Sequence, residues 1–331
     1  MPRSLHPVVT AAIAAGVAIR LLLLAIPAAY VTDVYYYDTQ AVSYLVNGID
    51  PYGARYVVPA TLLTPGASNV FAYLPGVFAF LAPASALWNP RVALVACDLV
   101  VAGALMYLGR RRGVYSAVYL LFPPTILFST WFLNDSLVAM AFLAGAVVLE
   151  ARDKPLASAP LWGLAAAASQ EAWLVFPLYA VYCIHRRKYT EIIVALGAAA
   201  AVVAPFLLWN PSALVYDTAL FQFARQTVML FSTGPFGLNV NPSLQGILLY
   251  LGTSAPVIFR GAIAAVALFL AARHVDETLP RLMLVSTAFA AVGLFILAGD
   301  LFWSYLEFPF LTLLIWLSLR EPKPGPASRP S

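Results

Sequence analysis

Long apolar runs separated by short polar turns constrain this chain more than any other feature of its sequence. Several runs approach the length of about 20 residues that an α-helix needs to cross a bilayer. Charged residues make up only 10% of the chain and the mean hydropathy is +0.84, whereas soluble domains carry about 25% charged residues. We therefore expect an all-α polytopic membrane protein of about ten transmembrane helices, near residues 8–29, 92–109, 114–132, 136–150, 156–169, 172–184, 190–208, 256–272, 281–299 and 301–319.

The two ends of the chain carry different signals. The first run, 8–29, is too long for the apolar core of a signal peptide and has no clear small-residue cleavage site before Tyr30. We interpret it as a retained first helix. Residues 321–331 are rich in proline, which predicts a disordered cytoplasmic tail after a single membrane domain spanning 1–320.

The basic residues predict the orientation, because cytoplasmic loops of membrane proteins are enriched in lysine and arginine. Two apolar pieces, 71–87 and 243–252, are ambiguous as spans. If the N-terminus is cytoplasmic and 71–87 lies in the interface, 14 of the 19 basic residues fall on the cytoplasmic side. A crossing at 71–87 would move the arginine cluster 110–112 and all later clusters to the other side. We therefore interpret 71–87 as interfacial.

In this orientation both termini are cytoplasmic, and the acidic and amide side chains at the ends of the runs gather on the extracytoplasmic face. A long first loop, 30–90, is expected to carry interfacial helices, and a second loop covers 209–255. Long loops among membrane helices are where binding and chemistry occur. The residues gathered on this face are Asp33, Asp38, Asn134, Asp135, Gln170, Glu171, Asp217, Arg225 and Asp300.

Several classes of function are excluded by what the sequence lacks. A net charge of +4 with no basic, aromatic stripe does not indicate nucleic-acid binding, and no glycine-rich phosphate loop, HExxH or paired CxxC motif occurs. Cys97 and Cys183 both lie inside apolar runs, which is typical of packing residues. His6, His185 and His274 lie near the ends of runs beside basic residues. We expect no bound metal.

Asp33 is the candidate general base. It follows the first run by a few residues, where a carboxylate would meet the headgroup of a lipid-borne substrate and could activate a hydroxyl acceptor. The alternative is that it only solvates the end of the first helix. Asp38, five residues later, is a weaker candidate that could also cap the helix expected over Thr39 to Asn47.

Two arginines could bind the phosphate of a lipid substrate. Arg20 lies late in the first run, and an ionisable residue at such a depth usually faces a cavity or a partner. Snorkelling toward the outer interface is the alternative. Arg225, in the second loop, is an independent candidate for the same role or a plain solvated charge.

Other polar residues have two interpretations each. Gln170 and Glu171 interrupt an apolar stretch and could only mark a tight helical hairpin, and Asn134 with Asp135 could be a simple turn. Glu307 lies within the last run, so we expect it to be buried with a polar partner, either Arg20 or Arg260. Aromatic residues make up 13% of the chain; interfacial belts explain most of them, and some could line a sugar site.

Three short motifs occur one after another in the first loop. They are Thr32-Asp33-Val34-Tyr35-Tyr36, then Gly48-x-x-Pro51-Tyr52, then Tyr73-Leu74-Pro75. This succession resembles the first luminal loop of the GT-C glycosyltransferases, which reads approximately T-D-x-D-Y, G-x-x-P-Y and Y-x-P. The likeness is greatest to the branch of the GPI-anchor mannosyltransferase catalytic subunit and related prokaryotic enzymes that use polyprenyl-phosphate sugars.

The resemblance extends over about residues 8–319. Arg20 matches an arginine near the end of the family's first span, and Asp98-Leu99 matches a D-L pair. Asn134-Asp135 matches a common turn, and the segment 302–305 matches a late Q-Y motif. The chain departs from the pattern at three places, with Tyr35 for the second acid, Gln170-Glu171 for a lysine and Ser304 for the glutamine.

The resemblance implies transfer of a hexose, with mannose favoured, from a polyprenyl (dolichyl) phosphate to a hydroxyl on an extracytoplasmic glycan, lipid or protein. Asp33 would act as base with inversion, Arg20 or Arg225 would neutralise the leaving phosphate, and no cofactor would be required. A lipid-linked sugar flippase and a non-catalytic relative remain alternatives. The predicted substrate-binding residues are Arg20, Tyr36, Asp38, Tyr52, Tyr73, Asn134, Asp135, Gln170, Glu171, Arg225 and Tyr305.

Overall fold

The structure is a computed structural model of the whole chain. It describes residues 6–26, 33–58, 70–109, 113–126, 136–221, 231–234, 237–298 and 306–320, with the backbone alone at 33 and 231–240.

Helices make up nearly all of the described residues. The first loop region contains α2 (Asp33–Val46) and α3 (Pro75–Leu87), which follow α1 (Pro7–Leu23). The remaining helices are α4 (Arg91–Leu108), α5 (Val114–Leu121), α6 (Ser136–Ala151), α7 (Pro155–Ala168), α8 (Ala172–His185), α9 (Tyr189–Trp209), α10 (Pro211–Val215), α11 (Leu244–Tyr250), α12 (Val257–Ala272), α13 (Leu279–Leu297) and α14 (Glu307–Arg320).

The second loop region departs from this pattern. A π-helical turn covers Tyr216–Leu220, directly after α10. Further along, an antiparallel hairpin pairs β1 (Phe231–Gly234) with β2 (Gly237–Val240), in the register Phe231↔Val240.

The apolar runs of the sequence correspond closely to helices. Within the described residues, α4, α9 and α13 are long and apolar enough to cross a membrane, and six further apolar helices are shorter. The helix bounds follow the predicted runs within a few residues wherever a whole run is described, as for α6 at Ser136–Ala151 against 136–150. The helical membrane fold is thus confirmed, and the number of crossings stays a prediction.

Helices α6 to α9 form two consecutive hairpins that run up and down the bundle. The turns 152–154 and 186–188 therefore lie at one end, while 169–171 and Asn210 lie at the other. Gln170 contacts Ala72 and Asn210 contacts Asp50, both in the first loop region. We call the end that carries these contacts the loop face and the end that carries the turns 152–154 and 186–188 the opposite face.

Helices α7 and α9 run parallel and approach each other closely at Gly163. A Cβ atom at this position would collide with the carbonyl oxygen of Ala195, so the crossing requires glycine. Packing of backbone on backbone of this kind is common between membrane helices, where small residues let helices approach.

Helix α3 begins and ends on the loop face. A Cβ at Gly76, near its start, would lie 2.6 Å from the carbonyl oxygen of Ala167, at the loop-face end of α7. Just beyond its end, the guanidinium of Arg91 donates to the carbonyls of Leu23 and Ile26 at the carboxyl end of α1, at 3.2 and 2.7 Å. A helix that crossed the bilayer would have its ends on opposite faces, so this geometry favours the interfacial interpretation of 71–87.

Candidate functional site

The motif Gly48-x-x-Pro51-Tyr52 forms the turn that ends α2. Gly48 has φ +70°, a left-handed conformation that favours glycine. The N–H groups of Gly48 and Ile49 then donate back to the carbonyls of Leu45 and Tyr44, at 3.1 and 2.9 Å, which closes the helix end. This turn sends Tyr52 beneath α2, where its side chain is buried.

Tyr52 is the centre of a layer of aromatic rings under the loop face. Its ring centroid lies 5.7 Å from that of Phe71, 6.1 Å from that of Phe78 and 6.0 Å from that of Phe206. Its hydroxyl donates to the Tyr73 carbonyl at 2.8 Å. Aromatic edge-to-face packing of this kind is worth about 0.5–1.5 kcal/mol per pair beyond burial, so the layer forms a rigid floor for α2. Tyr52 therefore has a supporting position, and its predicted contact with substrate stays untested.

A pair of carboxylates lies beside this floor. Asp50 accepts from the Asn210 amide at 2.9 Å, which joins the first loop to the carboxyl end of α9. Asp217, in the π-helical turn, is 6% exposed. Burial and, secondly, the charge of Asp50 raise the pKa of Asp217 to about 7, while the N–H of Phe71 acts in the opposite direction. Asp50 is therefore close enough to influence the protonation of Asp217.

Asp38 is the most unusual group on the loop face. It lies on α2, five residues after Asp33, and is 0% exposed. Neither of its carboxyl oxygens has a hydrogen-bond partner in the described part of the chain. Burial raises the pKa of Asp38 to about 8, so the group is a neutral acid with a free O–H donor at neutral pH. The side chain of Asp33 itself lies outside the described part, whose account of α2 begins with the Asp33 backbone.

Gln170 joins the two loop regions. Its side-chain amide donates to the carbonyl of Ala72 at 2.9 Å and to that of Thr218 at 3.3 Å. The neighbouring Glu171 is buried and hydrogen-bonded to Ser169 and Ser136. Ser136 begins α6, so Glu171 joins the start of α6 to the turn between α7 and α8.

Arg20 is bound in the helix core. Its Nε donates to Asp98 at 2.7 Å, Nη1 donates to the carbonyls of Leu120 and Gly16 at 2.6 and 3.1 Å, and Nη2 donates to Thr125 at 3.2 Å. The side chains of Arg20 and Asp98 are both 0% exposed. The guanidinium has no exposed edge and ties α1 to α4 and α5, so this arrangement does not support a free phosphate-binding arginine, and the predicted contact of Arg20 with phosphate stays a prediction.

Arg260 is a loop-face cation whose role the sequence did not reveal. It lies in the first turn of α12, is 5% exposed, and donates from Nη1 to the Leu297 carbonyl at 3.3 Å. Its Nε has no partner, and no carboxylate lies within salt-bridge distance in the described residues. Leu297 ends α13, where Gly293 packs against Leu174 at the start of α8, which places Arg260 on the loop face. An ionisable residue in the first turn of an apolar helix was the available signal.

The loop face thus brings together a subset of the predicted residues. Tyr36 and Tyr73 are half-buried in the first loop region, close to the buried Tyr52 and Asp38, and Gln170 with Glu171 borders them from α7 and α8. The other predicted positions lie outside the described residues, namely Asn134, Asp135, Arg225 and Tyr305. Among the described residues, no three His, Cys, Asp or Glu side chains are grouped to hold a metal.

Solved structures of one protein share this architecture. They are ArnT from Cupriavidus metallidurans bound to undecaprenyl phosphate, with a TM-score of 0.55 and 13% identity, and the same protein in the apo state, with 0.56 and 14%. The matches cover 95% and 94% of this chain but only 60% and 59% of the ArnT chain. No protein-family model matches the sequence, and no curated protein matches it either. The likeness shows that this chain shares the helical fold of ArnT.

Proposed function

We propose that this chain is a membrane glycosyltransferase that moves a sugar from a polyprenyl-phosphate carrier to an acceptor hydroxyl at the loop face. The observation that carries the proposal is the shared architecture with ArnT, a GT-C glycosyltransferase whose structure contains undecaprenyl phosphate. The order of the first-loop motifs, with Asp33 at the start of α2, supports it independently of that likeness.

In the proposed reaction Asp33 is the general base. It accepts the proton of the acceptor hydroxyl while the hydroxyl oxygen forms a bond to the anomeric carbon of the donor sugar. The bond between that carbon and the phosphate oxygen breaks in the same step, so the configuration inverts and polyprenyl phosphate leaves with the bonding electrons. Phosphate is a good leaving group, so no general acid is required. The first-loop motifs favour mannose as the sugar.

The leaving phosphate needs a cation that is not already paired with a carboxylate in the helix core. Arg20 pairs with Asp98, whereas Arg260 is buried on the loop face and, among the described residues, makes one hydrogen bond and leaves its Nε without a partner. An arginine fork stabilises developing phosphate charge through paired hydrogen bonds. We therefore assign Arg260 the role first expected of Arg20. Arg225 remains a second proposed ligand, as do Asn134, Asp135 and Tyr305 for the sugars.

Transfer in liposomes tests the assignment of the base. Purified chain would receive labelled polyprenyl-phosphate mannose or glucose with hydroxyl acceptors, and Asp33→Asn would be compared with Asp153→Asn. The control makes the same chemical change on an exposed acid of the opposite face. We expect acceptor-dependent transfer that falls at least about 100-fold in Asp33→Asn and is unchanged in Asp153→Asn.

Each other outcome contradicts part of the proposal. Transfer that survives Asp33→Asn removes Asp33 as the base. Movement of the lipid-linked sugar across the liposome without transfer supports a flippase, and neither movement nor transfer with any donor supports a non-catalytic subunit. A chelator in parallel reactions tests the proposal that no metal is required, which loss of transfer would refute.

A further inference from the structure

The opposite face carries a group of cations that the proposed reaction does not use. It consists of the two turns between α6 and α7 and between α8 and α9. We call it the basic patch, and its members are Arg152, Lys154, Arg186, Arg187 and Lys188.

A buried hydrogen-bond network holds the two turns together. The Glu150 carboxylate accepts from Ser158 at 2.6 Å, from Tyr182 at 3.3 Å and from Arg186 at 3.0 Å. Glu150 lies in the last turn of α6, Ser158 in the first turn of α7, and Tyr182 and Arg186 at the end of α8, so one carboxylate joins three helix ends. The basic patch is therefore a single preorganised surface rather than two independent flexible loops.

Two of the five cations are neutralised, and three are not. Arg186 pairs with Glu150 at 3.0 Å, and Lys188 pairs with Glu191 at 3.4 Å. Arg152, Lys154 and Arg187 are exposed and have no carboxylate within salt-bridge distance in the part of the chain described. Arg152 lies over the Tyr107 ring at 4.3 Å, which fixes its position at the edge of the patch.

Opposing charge near the patch is limited. Asp153 lies on the α6–α7 turn itself and is exposed. Asp276, which lies near His185, accepts hydrogen bonds from the N–H and hydroxyl of Thr278, and these bonds lower the pKa of Asp276. Glu277, beside Asp276, is also exposed, and Arg273 and Arg281 flank the same turn. Among the described residues, cations therefore outnumber carboxylates on the opposite face as a whole.

Two helix N-termini add to the positive potential. Helices α7 and α9 start at Pro155 and Tyr189 and run parallel, and they meet at Gly163 and Ala195. At about 1.5 Å per residue, both starts lie roughly 9–12 Å from this crossing. No side chain caps either start within the described residues. The N-terminus of a helix carries a partial positive charge and favours anions. In α7 and α9 this end faces outward at the basic patch.

Exposed apolar side chains border the cations on the side of the helices. Leu156 is 59% exposed, Ile184 is 49% exposed and Ile193 is 68% exposed. Each lies within about one to two helical turns of a patch cation. Cations at the helix ends above exposed apolar side chains match a molecule with an anionic head and hydrocarbon tails, rather than a soluble anion or an acidic protein.

We propose that the basic patch binds the phosphate headgroup of an anionic phospholipid in the adjacent leaflet. The headgroup contacts Arg152, Lys154 and Arg187, and the acyl chains lie along the exposed sides of α7, α8 and α9. This inference is independent of the proposed reaction, because no residue of the loop face takes part.

Retention of lipid by the full chain tests the proposal. Native mass spectrometry of detergent-solubilised protein would compare bound phosphatidylglycerol with bound phosphatidylcholine. The test variant combines Arg152→Gln, Lys154→Gln and Arg187→Gln. The control variant removes the same charge from the same face with Arg273→Gln, Arg281→Gln and Arg320→Gln, whose side chains lie against Phe269, the His274 carbonyl and Trp316.

The expected result is selective retention of phosphatidylglycerol, which inorganic phosphate in excess does not displace. A juxtamembrane cation contributes roughly fivefold in affinity, so the test variant should lose on the order of 100-fold, and the control variant should lose little. Equal losses in both variants would refute a localised site, and so would unchanged retention in the test variant or displacement by inorganic phosphate. Equal melting temperatures in phosphatidylcholine confirm that both variants fold.

Discussion

The helix core around Arg20 and the loop-face cluster around Asp38 bury ionisable groups to the same degree, but only the helix core supplies these groups with hydrogen-bond partners among the described residues. Arg20, Asp98 and Asp38 are all 0% exposed. Asp98 receives hydrogen bonds from Arg20 at 2.7 Å and Tyr119 at 2.6 Å, whereas both oxygens of Asp38 lack a partner within the described structure.

The difference indicates different roles. A buried ion pair with its hydrogen bonds complete holds helices in register, and breaking it leaves an uncompensated charge. A buried acid without partners costs stability in the apo protein, and such a cost is typical of sites that serve a function. The contrast separates a structural role for the Arg20–Asp98 pair from the functional role that we propose for the loop face around Asp38.

The largest expected effect comes from removing Arg20. Arg20→Met leaves the Asp98 carboxylate buried without its cation and should lower the free energy of unfolding by about 3–5 kcal/mol. Thermal unfolding in detergent measures the change. Arg260→Met is the matched control, since it deletes a buried arginine that has no carboxylate partner in the described residues, and it should cost much less stability. If the two variants are equally destabilised, the distinction between scaffold and site fails.

Tyr119 tests the same network with a smaller change. Tyr119→Phe removes only the hydroxyl that donates to Asp98 at 2.6 Å and should cost about 1.5–3 kcal/mol, as expected for a bond to a charged group. Tyr179→Phe is the control. That tyrosine is also 0% exposed, but its hydroxyl has no oxygen or nitrogen partner, with the weakly accepting sulfur of Cys183 beside it. The control should be nearly neutral, and a loss equal to that of Tyr119→Phe would contradict the comparison.

Asp38 makes stability depend on pH. Its pKa is about 8 in the folded chain and about 3.9 in an unfolded one, so the folded state binds the additional proton between these values. Stability is therefore greatest at acidic pH and falls as the pH rises toward 8, by on the order of 2 kcal/mol between pH 6 and pH 8. Melting temperatures across this range should fall less steeply in Asp38→Asn.

A second substitution, at Asp217, extends the same measurement of stability against pH. Its pKa is also raised, to about 7, so the part of the slope that remains in Asp38→Asn should disappear when Asp217→Asn is added. The slope contributed by Asp217 should level off at a lower pH than that of Asp38. A slope that Asp38→Asn leaves unchanged would show that Asp38 has a partner in solution and is not a buried neutral acid.

Local and periodic features were predictable from the sequence because they depend on nearby residues. Apolar runs gave helix bounds within a few residues, as at α9, Tyr189–Trp209 against 190–208. The left-handed Gly48 that ends α2 is another local feature, because a left-handed residue after a helix favours glycine.

Partners distant in the chain were not predictable. Arg20 and Asp98 are 78 positions apart, so an arginine near the end of a span was equally consistent with phosphate binding and with a buried ion pair. Asp38 was expected to be a helix cap or a weaker candidate base, yet it lies inside α2, fully buried, and both of its oxygens lack a partner within the described residues. Burial of this kind depends on tertiary packing, which neither spacing nor composition encodes.

Gln170 tests whether the loop face acts as one unit. Its amide joins the carbonyls of Ala72 and Thr218 from two loop regions, so Gln170→Leu should cost about 1 kcal/mol in overall stability but should markedly increase protease cleavage in both loops. Gln40→Leu is the control, because its amide bonds to Tyr36 and Val57 within the first loop alone. Limited proteolysis with fragment mass measurement separates the two cases. If Gln170→Leu exposes only one loop, the loop regions are held independently, and the loop face, unlike the helix core around Arg20, is not one cooperative unit.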